Sequence, residues 1–551
     1  MTSFSAIPLR CSRWALAAGA GLLLALSFPQ TGIAGFAWIA PGLMLLAALG
    51  TRGWESFRIG YVAGLASYLA SLRWLLLIPV TGFPILGWAA LSAFLALYTA
   101  TWVWLVLNIS NFKFQIPEPD VAAGRWLGAV HAIASWPWGL RAAWCLVCAA
   151  SWVGLEMVIT RLFGGFPWDL LGVSQHRMVP LLQVASVTGV YGVSFLVAWG
   201  SVSLLCAGAI VARGARSNSA WLAEVILPLT AIFALFLAGF HKISRSSDSS
   251  RQLKVALVQP SIPQTFIWNP DKNEERFQDL LRISESALSS GGADLLVWPE
   301  AAIPRMLAYD FEIFNAVTNL AVKHHVWMIV GSDDAEVTPR STNYFNSSFL
   351  VSPAGELVKR YRKRSLVIFG EYIPLKRWLP FIRWFTPIQG GFAAGDRPEP
   401  FGLPDLGAQV SVLICFEDTF AQLGRESVGP DTDFLVNITN DGWFGEGAAQ
   451  WQHAATAEFR AIENGLPLVR CTNTGLTCWF DAFGRMRQAF RDAAGSIYGP
   501  GHLLVNIPLL NPAQSRHPTF YHEHGDVFGW ACAVVAALAV TRRSRAKPAG
   551  A

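Results

Sequence analysis

The chain has 551 residues, of which 53% are hydrophobic and only 14% are charged, and its formal net charge is +5. Soluble globular proteins average about 25% charged residues, so a large part of this chain is expected to lie in a membrane. The few excess basic residues are spread over short loops, as is typical of topology signals beside a bilayer. Nucleic acid is therefore excluded as an expected partner.

Apolar segments recur along the first 241 residues and return once near the end of the chain. A helix that crosses a bilayer needs roughly 20 mostly apolar residues. The sequence predicts about eight such spans, of which the first and last are short. The predicted spans are Trp14–Phe28, Phe36–Gly50, Ile59–Val80, Leu86–Ile109, Ala142–Ile159, Leu181–Val211, Trp221–Phe240 and Val527–Val540.

The placement of lysine and arginine predicts the orientation of these spans, because basic residues are enriched in cytoplasmic loops. The first and third loops have no basic residue, and the fifth has Arg161 and Arg177. Both termini are therefore predicted to be cytoplasmic, and the polar segment between the seventh and eighth spans to be exterior. The residues that mark the termini and the even-numbered loops are Arg10, Arg13, Arg52, Arg58, Lys113, Arg125, Arg141, Arg213, Arg216, Arg542, Arg543, Arg545 and Lys547.

Two charged residues, Arg73 and Glu156, interrupt the predicted spans. Ionisable residues at membrane depth are costly and are functional candidates by default. The alternative is structural, with an arginine that snorkels near a helix end and a glutamate paired inside the bundle. The long cytoplasmic loop Asn111–Arg141 is interpreted as an insertion without an assigned role.

Polarity divides the chain into five predicted parts. They are a helical bundle at 1–241, a linker at 242–252, a soluble-looking domain at 253–525, a last spanning helix at 526–541 and a cytoplasmic tail at 542–551. In the soluble-looking domain, strand-like runs alternate with helix-like segments, which is typical of a layered α/β domain. The sequence has neither a zinc-ligand spacing nor a glycine-rich phosphate loop, so we expect no metal or organic cofactor. Cys471 and Cys478 lie in predicted strands, as buried thiols or as a disulfide.

Three residues in this domain have side chains suited to acyl transfer. Cys415 follows the apolar strand VSVLI, Glu300 ends the run LLVWPE, and Lys363 lies in the basic stretch after Lys359. Taken alone, the cysteine is typical of a buried thiol and the lysine of a solvated charged face. Together they fit one chemistry, since a base produces the thiolate and an ammonium stabilises both the thiolate and a tetrahedral oxyanion.

These motifs, WPE, then YRK followed by FGEYIP, then ICFE, resemble those of the nitrilase (carbon–nitrogen hydrolase) superfamily. With the multi-span bundle, the chain resembles its membrane-bound apolipoprotein N-acyltransferase family. The resemblance extends to FPWDLLGVSQ in the bundle and to NITNDGWFG in the domain. It implies a multi-span α-helical membrane bundle of about eight helices, plus an extracytoplasmic nitrilase-like α-β-β-α sandwich.

The resemblance also implies roles for individual residues. Glu300 is expected to be the general base, Lys363 the transition-state cation and Cys415 the nucleophile. Glu371 is expected to position the lysine, and Trp443 to lie in the loop over the cleft, where a lid with Ile382–Gly391 is plausible. The remaining binding or supporting residues implied are Trp268, Phe416, Glu417 and Asn440, with Phe416 standing where the family commonly has tyrosine.

The function implied is phospholipid-dependent N-acylation of the N-terminal diacylglyceryl-cysteine of apolipoproteins, by ping-pong transfer through a cysteine thioester. The implied partners are phosphatidylethanolamine or phosphatidylglycerol as acyl donor, an apolipoprotein as acceptor, and the bilayer of the bacterial inner membrane. One alternative is a membrane-tethered amidase with the same triad, which acts on small amides. Another is a transport or scaffold protein without chemistry, against which the intact triad argues.

Overall fold

A computed structural model of the protein describes residues 9–80, 83–109, 122–214, 219–245, 251–267, 269–339, 341–374, 391–510 and 517–541. The described residues fall into two compact units. The first is drawn from Met1–Arg73, Ile85–Ser244 and Asp526–Ala551, and the second from Trp74–Pro84 and Arg245–Gly525.

The first unit is helical, and four of its helices are long and apolar enough to cross a membrane, namely α4, α6, α9 and α10. Its small residues let helices approach closely: a Cβ on Gly60 of α3 would lie 2.9 Å from the Cα of Ala100 in α4. The helices are α1 (Leu9–Ser27), α2 (Ala40–Ala48), α3 (Trp54–Ser71), α4 (Phe83–Asn108), α5 (Ala122–Ser135), α6 (Trp138–Ile159), α7 (Val179–Leu182), α8 (Ala185–Thr188), α9 (Val190–Ala212), α10 (Leu222–Ser244) and α17 (Val527–Thr541).

The predicted spans agree with these helices only in part. Leu86–Ile109, Ala142–Ile159 and Trp221–Phe240 coincide with α4, α6 and α10. The predicted spans near the two chain ends are apolar helices shorter than a full span. The expectation of one continuous span from Leu181 to Val211 was wrong, because Gly189, at φ 65°, separates the short α8 from α9.

The predicted span Ile59–Val80 was also wrong in its second half. Helix α3 ends at Ser71, and the segment Trp74–Pro84 belongs to the second unit. Trp74 is buried there and donates its indole N–H to Gln452 Oε1 at 2.9 Å. The apolar run thus extends beyond the end of α3 because it includes Trp74, whose side chain packs within the second unit.

The predicted loop Asn111–Arg141 contains helix as far as the structure describes it, from residue 122 onward. Trp126 of α5 donates its indole N–H to the Leu46 carbonyl at 2.9 Å. Arg141, expected in this loop, lies buried in α6 and forms an ion pair with Glu224 at 2.8 Å. Arg141 is buried by the surrounding helices, whereas the sequence pattern predicted an exposed residue that marks the topology.

Glu156 is buried in the bundle, and its Oε1 accepts hydrogen bonds from Trp152 Nε1 at 2.9 Å and Leu171 N at 2.7 Å. Arg73 is exposed and lies just beyond the end of α3. Both observations favour the structural interpretation of these two charges.

The second unit contains two six-stranded sheets, ordered β12-β1-β2-β3-β4-β5 and β11-β10-β9-β8-β7-β6. Strands β1, β2 and β3 run parallel, as do β7, β8 and β9. The strands are β1 (Gln252–Gln259), β2 (Leu295–Val297), β3 (Trp327–Val337), β4 (Thr342–Val351), β5 (Leu357–Arg362), β6 (Phe401–Leu403), β7 (Ala408–Ile414), β8 (Phe434–Thr439), β9 (Leu468–Thr472), β10 (Cys478–Phe480), β11 (Met486–Ala489) and β12 (Gly501–Pro508).

Helices cover the outer face of each sheet, so the layers stack as α-β-β-α and confirm the predicted nitrilase-like sandwich. Successive strand residues point to opposite faces, so that Val255 and Leu257 pack between the sheets while Ala256 and Val258 pack under helices. The second sheet packs against α15. The helices of this unit are α11 (Gln264–Ile267), α12 (Asn273–Gly291), α13 (Phe311–His324), α14 (Ala421–Ser427), α15 (Ala448–Asn464) and α16 (Phe520–His524).

Candidate active site

Glu300 lies just beyond the carboxyl end of β2, where the chain turns sharply. The next residue, Ala301, has a positive φ of 52°. Gly331 of the neighbouring β3 makes room for the turn, since a Cβ there would lie 2.2 Å from the Pro299 carbonyl oxygen. The carboxylate is almost fully buried, at 5% exposure of the residue.

Lys363 follows directly after β5, and its backbone N–H donates to the Asn346 carbonyl at 2.9 Å. Its side chain is 1% exposed, and Nζ donates to Glu371 Oε1 at 2.8 Å and to Glu300 Oε1 at 3.3 Å. Burial alone lowers the pKa of an ammonium, but the two carboxylates outweigh burial and raise the pKa of Lys363 well above its usual range. The lysine is therefore a cation held between two acids.

Cys415 follows β7 and opens a short 3₁₀ turn, Cys415–Thr419. Its φ of 53° is uncommon for a residue with a side chain and marks strain of the kind found at functional sites. Its carbonyl oxygen accepts a hydrogen bond from Asn437 Nδ2 at 3.0 Å, which fixes the turn. Among the cysteines whose side chains the structure describes, Cys415 is half-buried and the others are buried, and all of these are free thiols, including Cys471 and Cys478.

The surroundings of Cys415 disfavour its thiolate. Burial raises its pKa well above the usual range, and the charge of Glu300 raises it further. Lys363 and a hydrogen bond from Thr439 act in the opposite direction and lower the pKa of Cys415. A proton acceptor is thus needed to form thiolate here.

Asn346, on β4, is a site residue that the sequence analysis missed. Its Nδ2 donates to Glu300 Oε1 at 2.7 Å and to Glu371 Oε1 at 2.9 Å. Both carboxylates thereby share one amide donor as well as the lysine. An asparagine in a strand carries no signal of such a role, because the pairing of β4 with β3 decides what it faces.

Glu371 lies in the FGE run, and its second carboxylate oxygen accepts from the Val367 backbone N–H at 2.8 Å. This contact fixes the carboxylate that holds Lys363. Asn440, at the end of β8, donates its backbone N–H to Glu300 Oε2 at 2.9 Å. Its side-chain amide donates to Gln264 Oε1 at 2.8 Å and so ties the loop to α11.

Glu417 is fully buried, and each of its two carboxylate oxygens accepts hydrogen bonds from protein groups. It accepts hydrogen bonds from the Ile414 backbone N–H at 2.8 Å and the Arg364 backbone N–H at 2.6 Å. It therefore joins the Cys415 turn to the segment that carries Lys363, and supports the site without lining it.

Phe416 and Trp443 are both half-buried. The ring of Phe416 meets that of Phe420 edge-on, with centroids 5.2 Å apart. Trp443 lies in the 3₁₀ turn Asp441–Phe444 after β8. Trp268 lies outside the described residues, as does most of the predicted lid segment, residues 382–390.

Comparison with known proteins identifies the family to which this chain belongs. The family model for carbon–nitrogen hydrolase matches residues 254–499, and that for the apolipoprotein N-acyltransferase N-terminal domain matches residues 20–203. An apolipoprotein N-acyltransferase of Geobacter metallireducens is 36% identical, over 99% of this chain and 98% of its own length. The one of Bradyrhizobium diazoefficiens is 29% identical, over 91% of this chain and 97% of its own length.

Among solved structures, an amidase from Nesterenkonia sp. is similar to 48% of this chain and 92% of its own, with 17% identity and a TM-score of 0.35. The alignment with the relative from Geobacter metallireducens covers nearly all of both chains, so it includes the helical bundle and the α/β sandwich. The part of the chain that the structure describes contains four apolar helices of spanning length, as expected of a membrane enzyme. The chain belongs to the apolipoprotein N-acyltransferase family of acyltransferases.

Proposed function

We propose that this protein transfers an acyl chain from a membrane phospholipid to the N-terminal amine of a diacylglyceryl-cysteine on an apolipoprotein. The observation that carries the proposal is the position of Lys363. Its ammonium contacts Glu300 and Glu371 while its charge acts on the Cys415 thiol, all within a buried site. A base, a cation and a sulfur nucleophile are thus coupled, in a chain that also has membrane spans.

In the first half-reaction Glu300 takes the proton of the Cys415 thiol. The thiolate attacks an ester carbonyl of the phospholipid, and Lys363 with nearby backbone N–H groups stabilises the oxyanion. The carbon–oxygen bond of the ester breaks, and the released alkoxide takes the proton held by Glu300. A lysophospholipid leaves, and Cys415 carries the acyl chain as a thioester.

In the second half-reaction the free α-amine of the diacylglyceryl-cysteine attacks the thioester carbonyl. Glu300 accepts a proton from the attacking amine and returns it to the leaving sulfur. An amide bond forms as the carbon–sulfur bond breaks. The products are a triacylated lipoprotein and the regenerated Cys415 thiol.

The membrane bundle has a physical purpose in this reaction, because both substrates are lipids held in the bilayer by about 0.8 kcal/mol per buried CH₂ group. We propose phosphatidylethanolamine or phosphatidylglycerol as donor, with transfer from the sn-1 position. We place the protein in the bacterial inner membrane, with the α/β domain on the periplasmic side and both termini in the cytoplasm. The support for this orientation is the distribution of basic residues in the loops.

The test is to incubate the purified full-length protein with labelled phosphatidylethanolamine or phosphatidylglycerol and to examine the Cys415 peptide by mass spectrometry. We expect an acyl adduct on Cys415 and stoichiometric lysophospholipid. Addition of a diacylated lipopeptide should remove the adduct. Cys415→Ala should abolish the adduct, whereas Cys532→Ala, the same change in the bundle helix α17, should not.

The alternatives make different predictions in two companion experiments, one with small amides as substrates and one in cells. Release of ammonia from small amides without lysophospholipid would indicate a membrane-tethered amidase. Unchanged lipoprotein acylation in cells that carry Cys415→Ala would indicate a protein without chemistry at this site. Either result overturns the acyltransferase proposal.

A further inference from the structure

Thr439 is the last residue of β8 and lies beside the nucleophile. The parallel register pairs Ile438 with Ile414, so the next residues along the two strands, Thr439 and Cys415, are neighbours at the sheet edge. The Thr439 side chain is fully buried, and its hydroxyl donates a hydrogen bond to Asp441 Oδ1 at 3.2 Å. The same hydroxyl lowers the pKa of the neighbouring Cys415 thiol.

A threonine hydroxyl has one hydrogen to donate. Thr439 therefore has two competing acceptors, the sulfur of Cys415 and the carboxylate of Asp441. Which acceptor receives the hydrogen depends on how well Asp441 is satisfied by other donors, because an ionised carboxylate buried without donors is costly.

Asp441 does have other donors, and they are charged. His453 Nδ1 lies 2.9 Å from Asp441 Oδ1, and Arg470 Nη2 lies 3.2 Å from Oδ2. His453 Nε2 lies 2.7 Å from Asp418 Oδ1, and Arg470 also pairs with Asp418. These four residues, Asp418, Asp441, His453 and Arg470, form a buried quartet with at most 1% exposure of each side chain.

The charges within the quartet support one another. Burial lowers the pKa of His453, but Asp418 and Asp441 outweigh burial and raise it to about 9. The protonated ring donates from both nitrogens, in agreement with an acid on each side. Burial raises the pKa of Asp441, but His453 and Arg470 outweigh burial and keep it below the usual value. Asp441 thus remains a carboxylate with two cationic partners.

We propose that the Thr439 hydroxyl turns from Asp441 to the Cys415 sulfur when the thiolate forms and is then a catalytic hydrogen-bond donor, and that the Asp418–His453–Asp441–Arg470 quartet permits this turn because it supplies Asp441 with other donors. This inference rests on the proposed function, in which Cys415 is the nucleophile. In the thiolate state the hydroxyl donates to sulfur and stabilises the negative charge. The quartet residues act through Thr439 and Asp441 and are positioning residues.

Two substitutions of Thr439 separate this role from a packing role. Thr439→Val keeps the branched shape and removes the hydroxyl, whereas Thr439→Ser keeps the hydroxyl and loses one methyl group. The rate of Cys415 alkylation by iodoacetamide is followed from pH 7 to about pH 12 in the purified full-length protein, by mass spectrometry of the Cys415 peptide, because the thiol pKa is raised. Below the pKa of the thiol, this rate is proportional to the thiolate fraction.

We expect Thr439→Val to slow alkylation at pH 7 about tenfold and to move the pH midpoint upward by about one unit, the size of a hydrogen bond to a charged group. Thr439→Ser should alkylate at close to the wild-type rate. Equal midpoints for wild type and Thr439→Val overturn the proposal, as does a Thr439→Ser protein that is as slow as Thr439→Val.

The quartet is tested by His453→Gln, which keeps an amide donor but removes the positive charge. Asp441 should then compete for the Thr439 hydrogen, so the alkylation midpoint should rise and adding Thr439→Val should shift it little further. A His453→Gln protein with a lower melting temperature but an unchanged alkylation midpoint would contradict the proposed role of the quartet. Alkylation requires no phospholipid, so failure of the acyl-thioester experiment and failure of this one are separate results.

Discussion

The Tyr361 hydroxyl lies 3.0 and 2.9 Å from the two carboxylate oxygens of Glu417, and this contact ties strand β5 to the turn that carries Cys415. Lys363 is two residues after the tyrosine and Cys415 two residues before the glutamate. The Lys363 ammonium and the Cys415 sulfur are thus positioned by one buried pair that joins the two sheets.

We predict that Tyr361→Phe lowers stability by about 2 kcal/mol, since it removes one hydrogen bond to a charged group. Glu417→Gln should lower stability more, because an amide cannot accept from the hydroxyl and from the backbone N–H groups of Ile414 and Arg364 all together. Melting temperature and acyl-thioester formation measure the two effects. A Glu417→Gln protein as stable and active as wild type contradicts this role.

Asn346→Leu should lower acyl transfer about tenfold, the size of one lost hydrogen bond to a charged group. The amide donates to Glu300 and to Glu371, the two carboxylates that contact Lys363, so its loss leaves both acids without a buried donor. The rate of acyl-thioester formation measures the effect. The control is Asn343→Leu, the same change at an exposed position of β4, which should leave the rate unaltered.

Gly331→Ala should inactivate the enzyme and lower its melting temperature. The added Cβ would lie 2.2 Å from the Pro299 carbonyl and 2.9 Å from the Glu300 Cα, so the turn that presents the carboxylate must move. Gly402→Ala in β6 is the matched control, because a Cβ there has nothing within 4 Å. Retained transfer in Gly331→Ala would show that the Glu300 turn tolerates displacement.

Stability should decrease as pH rises from about 6.5 to about 9 because of His453. Its pKa is raised from 6.5 to about 9 in the folded protein, so folding favours the protonated ring. That contribution is complete below pH 6.5 and is lost as pH passes through the folded pKa. The shift corresponds to roughly 3 kcal/mol. Melting temperatures of wild type and His453→Gln across this range should converge toward pH 9, and parallel curves would contradict the assignment.

Local patterns were sufficient for several elements of the fold. The uninterrupted apolar runs before Glu300 and Cys415 predicted β2 and β7, and those of α4, α6 and α10 predicted helices. By contrast β5, with the sequence LVKRYR, was missed, because its exposed charged residues hide a strand whose pairing with β4 is non-local. Residues 74–80 were misassigned to a span because hydropathy does not report which unit an apolar side chain packs into.

The sequence by itself predicted the chemistry of the site, since Glu300 and Cys415 stand beside strand ends that apolar runs reveal and Lys363 adds the cation that this pair needs. Only the tertiary structure decided how these groups are supported, through Asn346, Glu417, Thr439 and the buried quartet around His453. The reason is physical: hydrophobic periodicity is a local property of the chain, whereas a buried polar group acquires its partner from segments far away in sequence. His453 and Asp418 are 35 residues apart, and Asn346 and Glu300 are 46 apart.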